Sequence, residues 1–158
     1  MNKKSFTLIE LLIVSVIIVV LSGFSLANFT SYKGDNVLNS QVSILTHTLE
    51  LAKNKASAGD VSLCGNNLTP SIDSYTVIVN QSNLVLLPGC TATLPTPITY
   101  PIPTNIVYVT PTFSLRFDGQ NYQGETRRFP IKNSTTGKCK FVQINETGLI
   151  INGDMTCP

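Results

Sequence analysis

At 158 residues the chain has the length of one ordinary domain, and 42% hydrophobic residues would suffice for a single core. With 13% charged residues and a net charge of +2, it lacks the basic excess of a nucleic-acid binder taken as a whole. Much of the apolar content lies in one N-terminal block, so from about Asn28 onward the chain reads as a polar domain of modest size.

Two lysines, Lys3 and Lys4, precede a mostly apolar run from Phe6 to Ala27. As a helix rising about 1.5 Å per residue this run reaches roughly 33 Å, enough to span a bilayer. The lysines then place the N-terminus on the cytoplasmic side. Thr7, Ser15, Ser22 and Gly23 are tolerated in such a helix, but Glu10 is not expected there. On insertion scales a central carboxylate costs of order 2.5 to 3.5 kcal/mol, so Glu10 calls for a function and a partner. A cleaved secretory signal, with an apolar region of about 7 to 15 residues, fits this longer run poorly.

The run Lys3-Lys4-Ser5-Phe6-Thr7-Leu8-Ile9-Glu10-Leu11-Leu12-Ile13-Val14 resembles the class III signal of type IV pilins and pseudopilins. That resemblance implies removal of residues 1–5 by prepilin peptidase between Ser5 and Phe6, N-methylation of the new Phe6 amine, and an assembly role for Glu10, fifth in the mature chain. It implies other pilin subunits, the peptidase, an inner-membrane assembly platform and membrane lipid as partners, with no cofactor. The neighbour's Phe6 amine would then be the partner of Glu10, since paired charges compensate one another where each alone is costly. Ser5 stands where most relatives carry Gly, and Ala27 where many carry a helix-kinking Pro. Bending of the helix would therefore fall to Gly23 or Gly34.

Leu38, Val42, Leu45, Leu49, Ala52 and Ala56 recur at steps of four and three, the stripe of an amphipathic helix. Val37, Ile44 and Leu51 form a second stripe. Asp35 or Asn36 would cap the segment if Gly34 interrupts the helix, and Gly59 would end it. The period then shifts towards two over Tyr75–Val79, Leu84–Leu87, Ile106–Val109, Phe113–Phe117, Arg127–Ile131, Lys140–Ile144 and Leu149–Ile151, an antiparallel sheet. Asp118-Gly119 and Asn145-Glu146-Thr147-Gly148 mark turns, the second folding the last two runs into a hairpin. Six of the nine prolines lie between Pro88 and Pro111, which predicts a long extended surface loop there.

The four cysteines, Cys64, Cys90, Cys139 and Cys157, all follow the apolar block, contain no Cys-x-x-Cys pair and share the chain with one histidine, His47. Zinc chelation is poorly supported, and two disulfides on the exported side are favoured. Cys64 follows the helix and Cys90 ends the first hairpin, while Cys139 and Cys157 bracket the last one, which favours local pairs over the two other connectivities. Arg127, Arg128, Lys132, Lys138 and Lys140 form the core of a basic C-terminal cluster. A solvated face is the favoured reading of it over contact with DNA phosphates. A Gly-Arg-x-Arg motif, by which some GspH/FimT-type minor pilins hold DNA, would fall at Gly148-Leu149-Ile150-Ile151, where the arginines are absent.

No catalytic motif emerges, so the chain is not read as an enzyme. The expected fold is α+β: a prepilin leader (1–5), a transmembrane and filament-core helix (6–27), an amphipathic helix (28–58) and an antiparallel sheet head (59–158). The pattern of the head also resembles, more loosely, GspH/FimT-type minor subunits. The expected function is a structural subunit of a type IV pilus, favoured as a minor pilin, held in the bacterial inner membrane before assembly and in the pilus after it. The alternatives are a major pilin, a pseudopilin of type II secretion, and a DNA-binding or adhesive pilus subunit.

Overall fold

The computed structural model describes residues 7–64, 72–91, 95–119, 121–122 and 124–158, with residues 24–31, 72 and 121 described by backbone alone. A single helix, α1, runs from Leu8 to Ala58, 51 residues, or about 77 Å at the usual rise. The helix passes through Gly34 without interruption, so Asp35 and Asn36 cap nothing. Gly34 is instead a point of close approach: a Cβ there would collide with Thr136 Cγ2. At the other end Gly59 adopts the left-handed conformation (φ 59°), and its N–H reaches the carbonyls of Ala56 and Lys55.

Nine strands follow: β1 (Ile72–Val79), β2 (Asn83–Cys90), β3 (Ile98–Pro101), β4 (Ile106–Tyr108), β5 (Phe113–Asp118), β6 (Asn121–Tyr122), β7 (Arg127–Asn133), β8 (Cys139–Ile144) and β9 (Ile150–Met155), counted among the described residues. They do not form the one sheet that the sequence predicts. All pairings are antiparallel, but they fall into a five-stranded sheet, β3-β2-β1-β5-β6, and a four-stranded sheet, β4-β7-β8-β9. Both sheets lay their apolar face on α1.

The proline-rich stretch also departs from expectation, since it holds strands β3 and β4 and the end of β2 instead of one loop. Pro88 lies within β2 opposite Tyr75, beyond the last residue paired with β3, Leu86. On that side its missing N–H leaves no ladder bond unmade. Pro101 ends the edge strand β3, where proline is equally cheap.

The amphipathic stripe is the core of the molecule. Leu38, Val42, Leu45, Leu49, Ala52 and Ala56 are buried, and Val37, Ile44 and Leu51 pack beside them half-buried. From the sheets come Val77, Leu86, Leu115 and Phe117 on one side and Ile131, Val142 and Ile144 on the other. Phe113 of β5 stacks on Phe129 of β7, with centroids 3.9 Å apart, and so joins the two sheets directly. Buried Gln41 donates from Nε2 to the Tyr108 hydroxyl at 3.0 Å, which satisfies a polar group that α1 carries into the core.

The disulfides are the two local pairs, Cys64–Cys90 and Cys139–Cys157, with Cα–Cα distances of 5.6 and 5.2 Å. They close loops of 26 and 18 residues. In the chain-entropy account each contributes about 3 kcal/mol. The first pins the end of β2 to the chain just past α1; the second ties the C-terminal segment to the start of β8.

Candidate functional site

The helix N-terminus holds the residue whose position in the sequence is most costly. Thr7 is the N-cap, extended at φ −81° and ψ 150°, and its side chain accepts from the Glu10 N–H at 3.3 Å. The Glu10 carboxylate reaches back to accept the Thr7 N–H and the Thr7 hydroxyl, each at 2.9 Å, and both bonds fall on Oε2. This reciprocal capping box satisfies donors that an open helix end leaves without partners. A carboxylate at this place also meets the positive end of the helix dipole. Glu10 thus has a partner within its own chain, and among the described residues no group bonds to its Oε1.

From the sequence the partner expected for Glu10 lies on a neighbouring subunit, and the structure adds Thr7. The signal was present, since Thr-x-x-Glu before an apolar run is the capping-box pattern. Ser5 and Phe6, the residues of the expected cleavage and methylation, lie outside the described residues.

From Leu8 to Leu21 every large apolar side chain is about half exposed or more, ranging from 49% at Val14 to 86% at Leu8. Among the described residues no other part of the chain packs around this stretch of α1. Its hydroxyls bond inward along the helix, Ser15 to the Leu12 carbonyl at 2.8 Å and Ser22 to the Ile18 carbonyl at 2.7 Å, so they present no unmet donor to apolar surroundings. Among the described residues no helix is long and apolar enough to cross a membrane. The apolar block read from the sequence, Phe6 to Ala27, runs past the described side chains at both ends.

The head grips the helix from Gly34 onward. Asn133 at the end of β7 is fully buried and donates from Nδ2 to the Gly34 carbonyl at 2.8 Å, while its Oδ1 accepts the N–H groups of Thr135 and Thr136. Lys138 pairs with Asp35 at 2.6 Å. A second hold lies further along, where Lys53 donates to the Gly148 carbonyl at 2.9 Å. Beyond the helix, Asp60 pairs with Lys55 at 2.5 Å and accepts the Ser62 N–H at 2.8 Å. The Lys55 contact first, and the Ser62 N–H next, bring the Asp60 carboxyl down to about 2.

The basic cluster of the sequence does not come together as one patch. Arg127 and Arg128 lie exposed at the start of β7, and Lys132 lies five residues along it, roughly 17 Å away. The Arg128 guanidinium covers the Phe141 ring at 4.5 Å and donates to Gln143 at 2.9 Å. Lys138 is engaged by Asp35, Lys140 by Asp154 at 2.6 Å, and Arg116 by Asp118 at 2.8 Å. His47 is exposed on α1 beside Glu50. Among the described residues no three histidines, cysteines or carboxylates are placed to hold a metal ion.

Against known proteins, residues 1–26 match the family model described as the prokaryotic N-terminal methylation motif. No curated protein and no solved structure matches the chain. The motif indicates a type IV pilin-like or pseudopilin substrate of prepilin peptidase, and it overlaps the capped, exposed start of α1.

Proposed function

We propose that this chain, carrying the N-terminal methylation motif at the head of a projecting helix, is a structural subunit of a type IV pilus, a minor one, and has no catalytic role. One observation carries the reading: Glu10, fifth residue counted from Phe6, is held by a capping box at the start of an apolar helix whose large side chains from Leu8 to Leu21 are about half exposed or more. Before assembly the apolar helix anchors the chain in the inner membrane with its N-terminus cytoplasmic. Prepilin peptidase cuts between Ser5 and Phe6, and the Phe6 amine is methylated. On the assembly platform the helices of neighbouring subunits then replace lipid.

The capping box gives Glu10 two tasks. Its Oε2 keeps the helix end closed within the chain, which lowers the cost of the carboxylate in apolar surroundings before any neighbour arrives. Its Oε1 is available to the Phe6 amine of an incoming subunit, and in the filament core that pair compensates both charges.

The structure also selects the better variant. Glu10→Ala would remove both the charge and the cap, whereas Glu10→Gln keeps a capping-box residue and removes only the charge. Glu10→Gln is expected to be processed and membrane-inserted at normal levels but poorly incorporated. The loss of a buried charge partner corresponds to about 3 to 5 kcal/mol. The measurement is the ratio of filament-borne to membrane-borne protein, with leader removal checked by terminal sequencing. An unchanged ratio would refute charge pairing. In sheared, purified filaments a minor subunit appears in trace amounts, and a dominant band would make it the major pilin instead.

A further inference from the structure

Among the described residues strand β9 has a neighbour on one side only, β8, and its register with β8 is unbroken from Ile144↔Ile150 to Cys139↔Met155. In an antiparallel ladder alternate residues turn their N–H and C=O away from the partner strand. Among the described residues no other backbone group bonds to those of Ile150–Met155. Along this free edge lies α1, and between the two runs a continuous groove. Three adjoining cavities of ≈ 510, 460 and 270 Å³ follow it from Asp35 to Asn54, the first two sharing Asn39 and Lys140 and the last two sharing Glu50. Asn152 and Asp154, on the helix-facing side of β9, are exposed in it. Asn152 donates to the helix through a long bond to the Thr46 hydroxyl, 3.3 Å.

The other sheet edges are guarded in the ways proteins usually guard them. β3 has four residues and ends in Pro101, β4 has three between Pro103 and Pro111, and β6 has two. β9 has six residues, with no proline, no lysine and no bulge, and its one charge, Asp154, is already engaged by Lys140 of β8 at 2.6 Å.

We propose that this groove takes an extended segment of another polypeptide, which adds to β9 as a further strand of the second sheet and lies against α1. Recognition is through main-chain hydrogen bonds, so it tolerates many sequences but requires N–H groups and an extended run of about six residues, roughly 20 Å. Side chains of the segment that point at the helix meet Asn39, Thr46 and Glu50. Glu50 is exposed and has no ion pair among the described residues, so it favours a basic side chain opposite it. A second copy of this chain is a poor donor: its other edges are short, β3 and β4 also being bounded by proline, and β9 on β9 would make a closed two-fold dimer.

The test uses the detergent-solubilised full chain and a capped hexapeptide of alternating Thr and Val with one central Lys. Residue-resolved amide exchange should show the outward amides of Ile150–Met155 slowed about tenfold or more by the peptide. The same peptide N-methylated at alternate residues should give no slowing, and Glu50→Lys, a change at an exposed helix position, should weaken the effect of the parent peptide. Equal slowing by the N-methylated peptide, or none at millimolar peptide, overturns the proposal. Slowing without peptide that grows with protein concentration also overturns it, because β9 then pairs with its own copy.

Discussion

Gly34 is the residue of α1 on which the β7–β8 turn rests most closely. In sequence it is a helix breaker, and glycine within a helix costs about 1 kcal/mol against alanine. In the structure the helix accepts that cost so that the turn between β7 and β8 can lie on its backbone, where Asn133 bonds to the Gly34 carbonyl. Gly34→Ala should therefore destabilise by about 1 to 2 kcal/mol, the collision with Thr136 outweighing the gain in propensity. Thr136→Ser in the same chain removes the colliding methyl and should recover most of it. Thermal unfolding of the pair of variants decides this, and stabilisation by Gly34→Ala alone would mean the turn moves aside freely. Asp60 makes a pH-dependent contribution. Its carboxyl lies at about 2, below its ordinary 3.8, so the stabilisation is present above pH 3.8 and is lost as pH falls to about 2. Because Asp60 and Lys55 are partly exposed, Asp60→Asn should cost only about 0.5 kcal/mol at neutral pH, and nothing in urea titrations near pH 2. Neither residue's role is visible in the sequence, because both depend on groups that only the fold or a turn brings near. The link between Thr7 and Glu10 is visible, being local.

Among the elements, the second half of α1 was the most legible, since a stripe at helical spacing already states which face will be buried. Leu45 sits at its centre with no exposed surface, and Leu45→Ala should cost about 2 to 5 kcal/mol in chemical denaturation. A cost below 1 kcal/mol would show that the two sheets close over the gap. The hairpins were also readable from their turns, and with them the disulfide pairs. The short strands β3, β4 and β6 were less so. Period-two alternation over two to four residues carries little signal, and prolines between Pro88 and Pro111 point to loop unless the free side of each strand is known. Which side is free depends on strand order, and that is decided by packing on the helix.

The whole molecule has two sheets sharing one helix because a single sheet would leave part of α1's broad apolar face uncovered. Val37, Ile44 and Leu51 hinted at that width, but nothing in the sequence fixes where one sheet ends and the next begins. The junction is the Phe113–Phe129 stack together with Tyr108. Burial holds the Tyr108 and Tyr75 hydroxyls at about 12, above their ordinary 10.0. Stability from these groups is complete below pH 10 and is lost as pH rises from 10 to about 12, because the unfolded chain ionises first. Denaturation curves across that interval should shift steeply, and Tyr108→Phe should flatten the shift. The grip at Gly34 and Asp35 has a mechanical meaning as well. In a filament of the proposed kind, tension would pull on the projecting helix and enter the head first where Asn133 and Lys138 hold it. The next residue, Cys139, is covalently tied to Cys157, so the load path runs at once into a crosslinked hairpin. In single-molecule pulling through the helix N-terminus, reduction of the chain should lower the rupture force of the head far more than Glu50→Lys, which lies off that path.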